Sequence, residues 1–569
     1  MKIDAPAKLF GLSAQLVSLL RENSSNFEIK NICSLSDTLA EPPMPSVEEI
    51  EVGTIVSKDN NKKFKSVEFP QYLPSDLQPG ILHVGAGNFF RSHLATYQHD
   101  LLNNDPDHFE HNKQWGIVGG GVHGNCFEKR KIIENQDWLQ TVVERDQDYE
   151  KATIVGSMID YMPVDHLHEW EVPHAAMTDK SLEDSIKIIS LTITEGGYYL
   201  LEDGSFDVDH PDVQYDISNP DKPRTVFGIL VASLYKRHKQ GQDPFTVMSC
   251  DNLPHNGDLT KNCVLTMATH MFGKENPDFA EWVRDNVKCP NSMVDRITPQ
   301  TTPEIRQLIQ DNYGYDDLSA VVCEPFRQWV IEGDEFVNGE RPQWELLETV
   351  TCVPKGQVEP YELRKIRILN GGHASLCYPA ALLDVTYVHD VMTHPVLSKF
   401  LDTLEHEEIC GTCQVIAGET PEEYWKLTKA RFSNPTVEDT ISRNCYDGAS
   451  RQPKFIVPVV ASLLKEGKTN IDGLATVSAL WARYVEGKTE SGKTIEPNDP
   501  KWDQLQALAL DAKSTKSPLK WVDGLTKDVY GQDVGQNPVF REAFEKAWHN
   551  IQDEGVEAAL KAYIDSKSK

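Results

Sequence analysis

Between residues 81 and 250, short apolar runs alternate with segments of helical periodicity. Ile81, Leu82, His83 and Val84 form a compact strand pattern, and further apolar runs lie at 116–122, 153–159, 186–194 and 245–250. Helical spacing marks 92–102 and 226–238, and the gap after the second is long enough for a crossover. This alternation predicts an α/β domain with a doubly wound, mostly parallel sheet. Beyond about residue 355 the texture changes. Leucine and alanine recur at helical spacing through 363–388, 395–408, 421–431, 455–466, 470–486, 501–512 and 538–564, which predicts a mainly α-helical C-terminal domain.

Residues 1–80 read as an N-terminal extension, 81–355 as the α/β domain and 356–569 as the helical domain. Within the extension, 9–20 has the pattern of a short amphipathic helix. A proline-rich stretch at 41–46 and a charged one at 59–65 read as loops. No chemistry is visible there.

The first strand runs directly into Gly85, Ala86, Gly87, Asn88, Phe89, Phe90 and Arg91, and a helical pattern follows. Strand, glycine turn and helix form the context in which a GxG pattern points to a dinucleotide. The glycines permit a tight turn and close approach to a pyrophosphate, and the helix N-terminus supplies amide donors. Phe90 stands where the third glycine of that fingerprint belongs, so a glycine turn of an ordinary α/β protein is the alternative. After the second strand come His123, Gly124, Asn125 and Cys126 in place of an acid for the ribose hydroxyls, with the basic run Lys129, Arg130 and Lys131 close by. Cofactor choice between NAD and NADP is open on these residues.

Residues 361–378 carry the densest chemistry. On a helix advancing roughly 100° per residue with Lys365 as origin, Glu362 falls near ~60°, His373 near ~80° and Asn370 near ~140°. Leu369, Ile366 and Leu376 share that sector. Burying an ammonium, a carboxylate, an imidazole and an amide among core residues costs several kcal/mol without partners. One reading is a catalytic wall: a desolvated Lys365 as general acid/base, Asn370 and His373 polarising a substrate oxygen, Glu362 passing protons to water. The other is an internal Glu362–Lys365 ion pair with a core histidine.

Composition narrows the partners. The 569-residue chain is 39% hydrophobic and 25% charged, with a net charge of −31. That balance argues against DNA, RNA or anionic lipid, which demand a basic surface. Eleven scattered cysteines suit a reducing compartment, and the CxxC pair Cys410 and Cys413 has no second pair to complete a zinc site. No secretory pattern opens the chain and no apolar run approaches the ~18 residues of a membrane helix, so a cytoplasmic protein is expected.

Taken together, the segments resemble the long-chain mannitol dehydrogenase family of polyol-specific, zinc-independent dehydrogenases. The resemblance runs from about residue 80 to the C-terminus. It rests on blocks in order: Gly85-x-Gly87-x-Phe89-x-Arg91-x-His93, then SLTITEGGY at 190–198, SCDNLPHNG at 249–257 and MVDRITP at 293–299. VCEPF at 322–326, KxxxxNxxH at 365–373 and RFSNP at 431–435 complete the series. The resemblance implies a Rossmann-type N-terminal domain, a mainly helical C-terminal domain and a substrate cleft between them. It assigns Lys365 as general acid/base, Asn370 and His373 as oxyanion partners and Glu362 as a gated proton relay. Asn256, Asp295, Arg443 and Arg451 match positions that line the polyol site, while 85–91 hold the cofactor, with NAD expected and NADP left open. No metal is implied.

The acidic pair of some NAD-specific relatives falls on Asn125 and Cys126, a departure that bears on cofactor preference. The expected reaction is interconversion of a sugar alcohol and its 2-ketose, mannitol and fructose first, with arabinitol, sorbitol or fructuronate as alternatives. A catalytically silent nucleotide-binding scaffold is the rival of a different class. A monomer or small homo-oligomer is expected.

Overall fold

The computed structural model describes residues 10–13, 65–121, 126–163, 175–201 and 204–567. The chain divides into two compact units, Met1–Val358 and Glu359–Lys569. In the first, five strands form one sheet: β1 (Pro79–Val84), β2 (Gly116–Gly121), β3 (Met158–Pro163), β4 (Ile188–Leu191) and β5 (Thr246–Ser249). Every pairing in it is parallel, in the spatial order β3-β2-β1-β4-β5. This is the doubly wound dinucleotide-binding order, in which the chain reverses direction between β1 and β4. Both faces are covered, as a parallel sheet requires. Ile81, Ile117, Ile188 and Met248 enter one apolar cluster, while Leu82, Val118, Ile189 and Val247 enter the other.

Helix α1 (Val226–Gln240) crosses over between β4 and β5. It begins where the Thr225 hydroxyl accepts the Gly228 amide at 2.9 Å. Helix α2 (Asn256–Phe272) follows β5. The unit also holds a smaller four-stranded sheet and a three-stranded one, in which Gln328–Glu332 pairs antiparallel with Ser292–Asp295 and parallel with Val350–Val353.

Several boundaries differ from the sequence pattern. The apolar run 153–159 is two strands: Tyr149–Val155 belongs to the smaller sheet, and β3 begins after Gly156 and Ser157. The helix expected over 92–102 breaks at His93, separating Asn88–Ser92 from Leu94–Asn103. Within the stretch 9–20 expected as a helix, Phe10–Gly11 is a strand paired in parallel with Tyr315–Asp316, where Leu12 fills a small core. Residues 9 and 14–20 lie outside the described residues.

The second unit is mainly helical. Its core gathers Trp481, Trp521, Tyr378 and Phe544 with many leucines and valines, all buried. The pattern at 538–564 resolves into two helices, Pro538–Glu554 and Val556–Lys567, because Gly555 interrupts them. Among the described residues, no helix is long and apolar enough to cross a membrane.

Candidate active site

Gly85 ends β1 at the reversal of strand order, where ligands bind in such sheets. Its φ is +98°, and a Cβ there would lie 1.9 Å from the carbonyl oxygen of Thr192, just beyond β4. Only glycine lets the two strand ends pass so closely. Gly87 caps the helix Asn88–Ser92, and a Cβ on it would meet nothing nearer than the Gly85 oxygen at 3.8 Å. Its outer side is thus open to a close backbone approach, the property a pyrophosphate cradle needs, and the turn fits a dinucleotide. Phe90, at the third glycine position, is buried and stacks on His83 with centroids 3.9 Å apart.

The side chains of this turn serve the fold. Asn88 donates to the Pro299 carbonyl and the Thr301 hydroxyl, each at 3.0 Å. Arg91 donates to the Ser319 carbonyl, to Asn88 Oδ1 at 2.6 Å and to Gly87 O at 3.3 Å. Burial lowers its pKa to about 10, with Asp317 opposing the shift. Ala86 is buried, and the Phe89 ring stacks on His93. After β2, Asn125 lies outside the described residues, while Cys126 opens the helix Cys126–Glu134 and is buried. Arg130 in the basic run is engaged by Asp160 at 3.0 Å and by Glu134, and it donates to the Tyr161 carbonyl. That engagement removes it as a ready ligand for a 2′-phosphate.

Glu362, Lys365, Asn370 and His373 stand on one continuous helical segment of the second unit, each between 4% and 8% exposed. The segment is not a uniform α-helix. Glu359–Arg364 is α, Lys365–Asn370 is π, and α3 (Gly371–Leu382) resumes the α geometry. A wheel at a constant 100° per residue therefore misplaces Asn370. The wider turn brings it round toward the side of Lys365, and π turns of this kind recur at functional sites.

His373 is framed from two sides. Its ring packs on Phe432 at 4.2 Å, where Phe432 ends α4 (Pro421–Phe432). Its Nε2 lies 3.4 Å from an Asp439 oxygen, a distance at which charge is felt without an aligned hydrogen bond. Burial pushes the His373 pKa down, and Asp439 pulls the other way. The Asn370 amide nitrogen is buried with no hydrogen-bond partner among the described residues.

Asp439 was not singled out by sequence. It accepts from Arg443 at 2.9 and 2.8 Å, bidentately, and from Asn444 at 3.3 Å. Burial alone would raise its pKa, but His373 and Arg443 outweigh that and hold the carboxyl well below its usual range. The i,i+4 spacing to Arg443 was the one available signal. Asp439→Asn should cost roughly 10- to 100-fold in kcat/KM, the equivalent of about 1.5–3 kcal/mol for a charge-assisted hydrogen bond. Steady-state kinetics checks this, and an unchanged kcat/KM would remove Asp439 from the site.

Arg451 ends the short helix Gly448–Arg451, its guanidinium 5.2 Å from the Phe455 ring and its Nε buried without a hydrogen-bond partner among the described residues. Asn256 and Asp295 belong to the first unit. Asn256 is fully buried, and its amide is spent on backbone: it donates to Asp251 O and Ser292 O and accepts from Ser292 N. It thereby anchors the strand that ends in Asp295, which is also buried. The structure thus joins His373, Asp439 and Arg443 directly and ties Asn256 to the strand of Asp295. At the CxxC pair, burial raises both thiols, Cys413 to about 11 and Cys410 further, which disfavours the reactive thiolate.

Comparison with known proteins gives this arrangement its relatives. Residues 79–346 match the model of the mannitol dehydrogenase Rossmann domain, and 357–552 that of the mannitol dehydrogenase C-terminal domain. Mannitol 2-dehydrogenase of Cereibacter sphaeroides is 44% identical over 500 residues, 88% of this chain and 99% of the relative. Mannitol dehydrogenase 2 of Saccharomyces cerevisiae is 36% identical, covering 90% of this chain and 98% of the relative. The solved Pseudomonas fluorescens mannitol 2-dehydrogenase, a ternary complex with NAD and D-mannitol, superposes with a TM-score of 0.77 at 35% identity. It covers 88% of this chain and 97% of that one. A substrate-free D-sorbitol dehydrogenase gives a TM-score of 0.72 at 32% identity. With both domain models matched along most of its length, the chain belongs to the mannitol dehydrogenase family.

Proposed function

We propose that this protein is an NAD-dependent polyol dehydrogenase that interconverts D-mannitol and D-fructose, with Lys365 as the general acid/base. The observation that carries the reading is that Lys365 and Asn370, on a buried π turn, and His373, in the first turn of the α-helix that follows it, stand on one continuous helical segment. Oxidation of a secondary alcohol requires a base for the hydroxyl proton and an acceptor for the hydride. NAD, when bound, supplies the acceptor. The backbone of the 85–91 turn would hold its pyrophosphate.

The chain's own groups handle the proton and the oxygen. Neutral Lys365 takes the hydroxyl proton at Nζ, and in the reverse direction returns it to the ketose oxygen. Asn370 and neutral His373 donate to that oxygen as negative charge builds on it, a preorganised role that costs no solvent reorganisation. Glu362 carries the proton onward to water. Asp439 keeps His373 oriented and fixes Arg443 for the remaining hydroxyls, together with Arg451. Because Asp439 neutralises Arg443, the site favours an uncharged polyol over a uronate.

Sorbitol oxidation is the second reading, favoured by the sorbitol dehydrogenase neighbour. The purified protein, with EDTA present, would be given NAD with mannitol, sorbitol or arabinitol, and fructose with NADH or NADPH. Rapid NADH oxidation with fructose, and faster NAD reduction with mannitol than with sorbitol, is the expected result. A higher kcat/KM for sorbitol would replace mannitol as substrate, and silence with every polyol would leave the scaffold reading.

A further inference from the structure

Behind the His373 turn sits a carboxyl group that this mechanism does not use. Glu405 begins the π turn Glu405–Ile409, which packs against the π turn Lys365–Asn370. Its side chain is fully buried, and neither oxygen has a hydrogen-bond partner among the described residues. Burial, aided by nearby Asp402, pushes its pKa well above the usual carboxyl range. Oε1 lies 3.1 Å from the position a Cβ would take on Gly372, and the Phe432 ring lies 3.3 Å from the same point. An α-hydrogen of Gly372 takes the place of that Cβ, so the glycine lets the carboxyl oxygen and the ring both come close to the backbone. Gly372 precedes His373, and the other partner of that point, Phe432, is the ring on which His373 packs. Glu405, Gly372, Phe432 and His373 thus form one packed layer. A buried polar group kept there at a cost to stability needs a return elsewhere.

We propose that Glu405 is a positioning residue for the reaction, its carboxyl group setting the contact of Gly372 with Phe432 on which the His373 ring is seated. The inference rests on His373 acting as an oxygen partner. Glu405→Gln preserves shape and polarity, whereas Glu405→Met fills the volume without polar atoms. For fructose reduction, Glu405→Met is expected to lower kcat at least about tenfold, with NADH affinity by fluorescence and KM little changed. Glu405→Gln should restore kcat to within about threefold of wild type. Should Glu405→Met not fold, Glu405→Ala takes its place. A wild-type kcat in the apolar variant, or a glutamine variant as slow as it, overturns the proposal.

His373→Ala, measured alongside, separates the two levels of inference. Full rate in His373→Ala sinks the role given to His373 itself. Loss there with a wild-type rate in Glu405→Met sinks only the positioning role. Because Glu405 acts through His373, adding Glu405→Met to His373→Ala should slow the enzyme no further, and an additive loss counts against the proposal.

Discussion

Lys365→Ala should lower the turnover of mannitol and of fructose by about 10²–10⁴-fold, the range attributable to a positioned general acid/base. NADH binding, followed by fluorescence, should be unchanged, because the turn at 85–91, proposed above to hold the cofactor, lies in the other unit of the chain. The size of the effect follows from the surroundings. Lys365 sits 7% exposed in a helical segment whose other polar groups, Asn370 and His373, can donate to an oxygen but cannot serve as a strong base. His373 is poorly suited to replace it: burial already lowers its pKa, so its neutral ring takes up a proton reluctantly. A variant that retains near-normal turnover would take Lys365 out of the mechanism.

Gly85→Ala should be the most damaging change outside the helical unit. A methyl group there would stand 1.9 Å from the Thr192 carbonyl oxygen, a backbone atom that cannot rotate aside. Alanine at a φ of +98° adds about 1–3 kcal/mol of backbone strain. Relief requires the ends of β1 and β4 to part, and their closeness forms the crevice at the strand-order reversal. NADH affinity should therefore fall by at least about tenfold, with a melting temperature lower by about 2–4 °C for each kcal/mol lost. Gly87→Ala is the control. Its Cβ has room, so the fold should be kept, and any loss of binding would report on the approach of the cofactor alone. Wild-type affinity in Gly85→Ala would place the dinucleotide elsewhere.

The parallel sheet was legible because its strands are buried on both faces and read as unbroken apolar runs. The order of chemistry along the chain was legible too, since Gly85, Gly87, Lys365, Asn370 and His373 stand at short, diagnostic spacings. What escaped depended on geometry that periodicity cannot carry. The π turn changes the angle per residue between Lys365 and Asn370, and no residue type announces it. Asp439 looks like any loop acid until the fold brings it to His373, sixty-six positions away in sequence. Two strands within 149–163 merged into one because the break, Gly156 and Ser157, is short and buried. Phe10–Gly11 owes its strand to a partner at Tyr315–Asp316, which local pattern cannot foresee.

The π turn at Lys365–Asn370 also sets a reading frame for the helix that holds it. A π turn carries an extra residue within the helix, so losing one residue there would return the segment to α spacing with its ladder of hydrogen bonds intact. Removing a residue from a uniform α stretch rotates its flanks by roughly 100°, but here the change from π to α spacing makes up nearly all of that angle, so the flanks stay in phase. Glu362 and Lys365 would keep the same side as Asn370 and His373, and the change would be confined to the wide turn between them. The turn thus lets the helix carry one residue more than α spacing allows without setting its two ends out of phase.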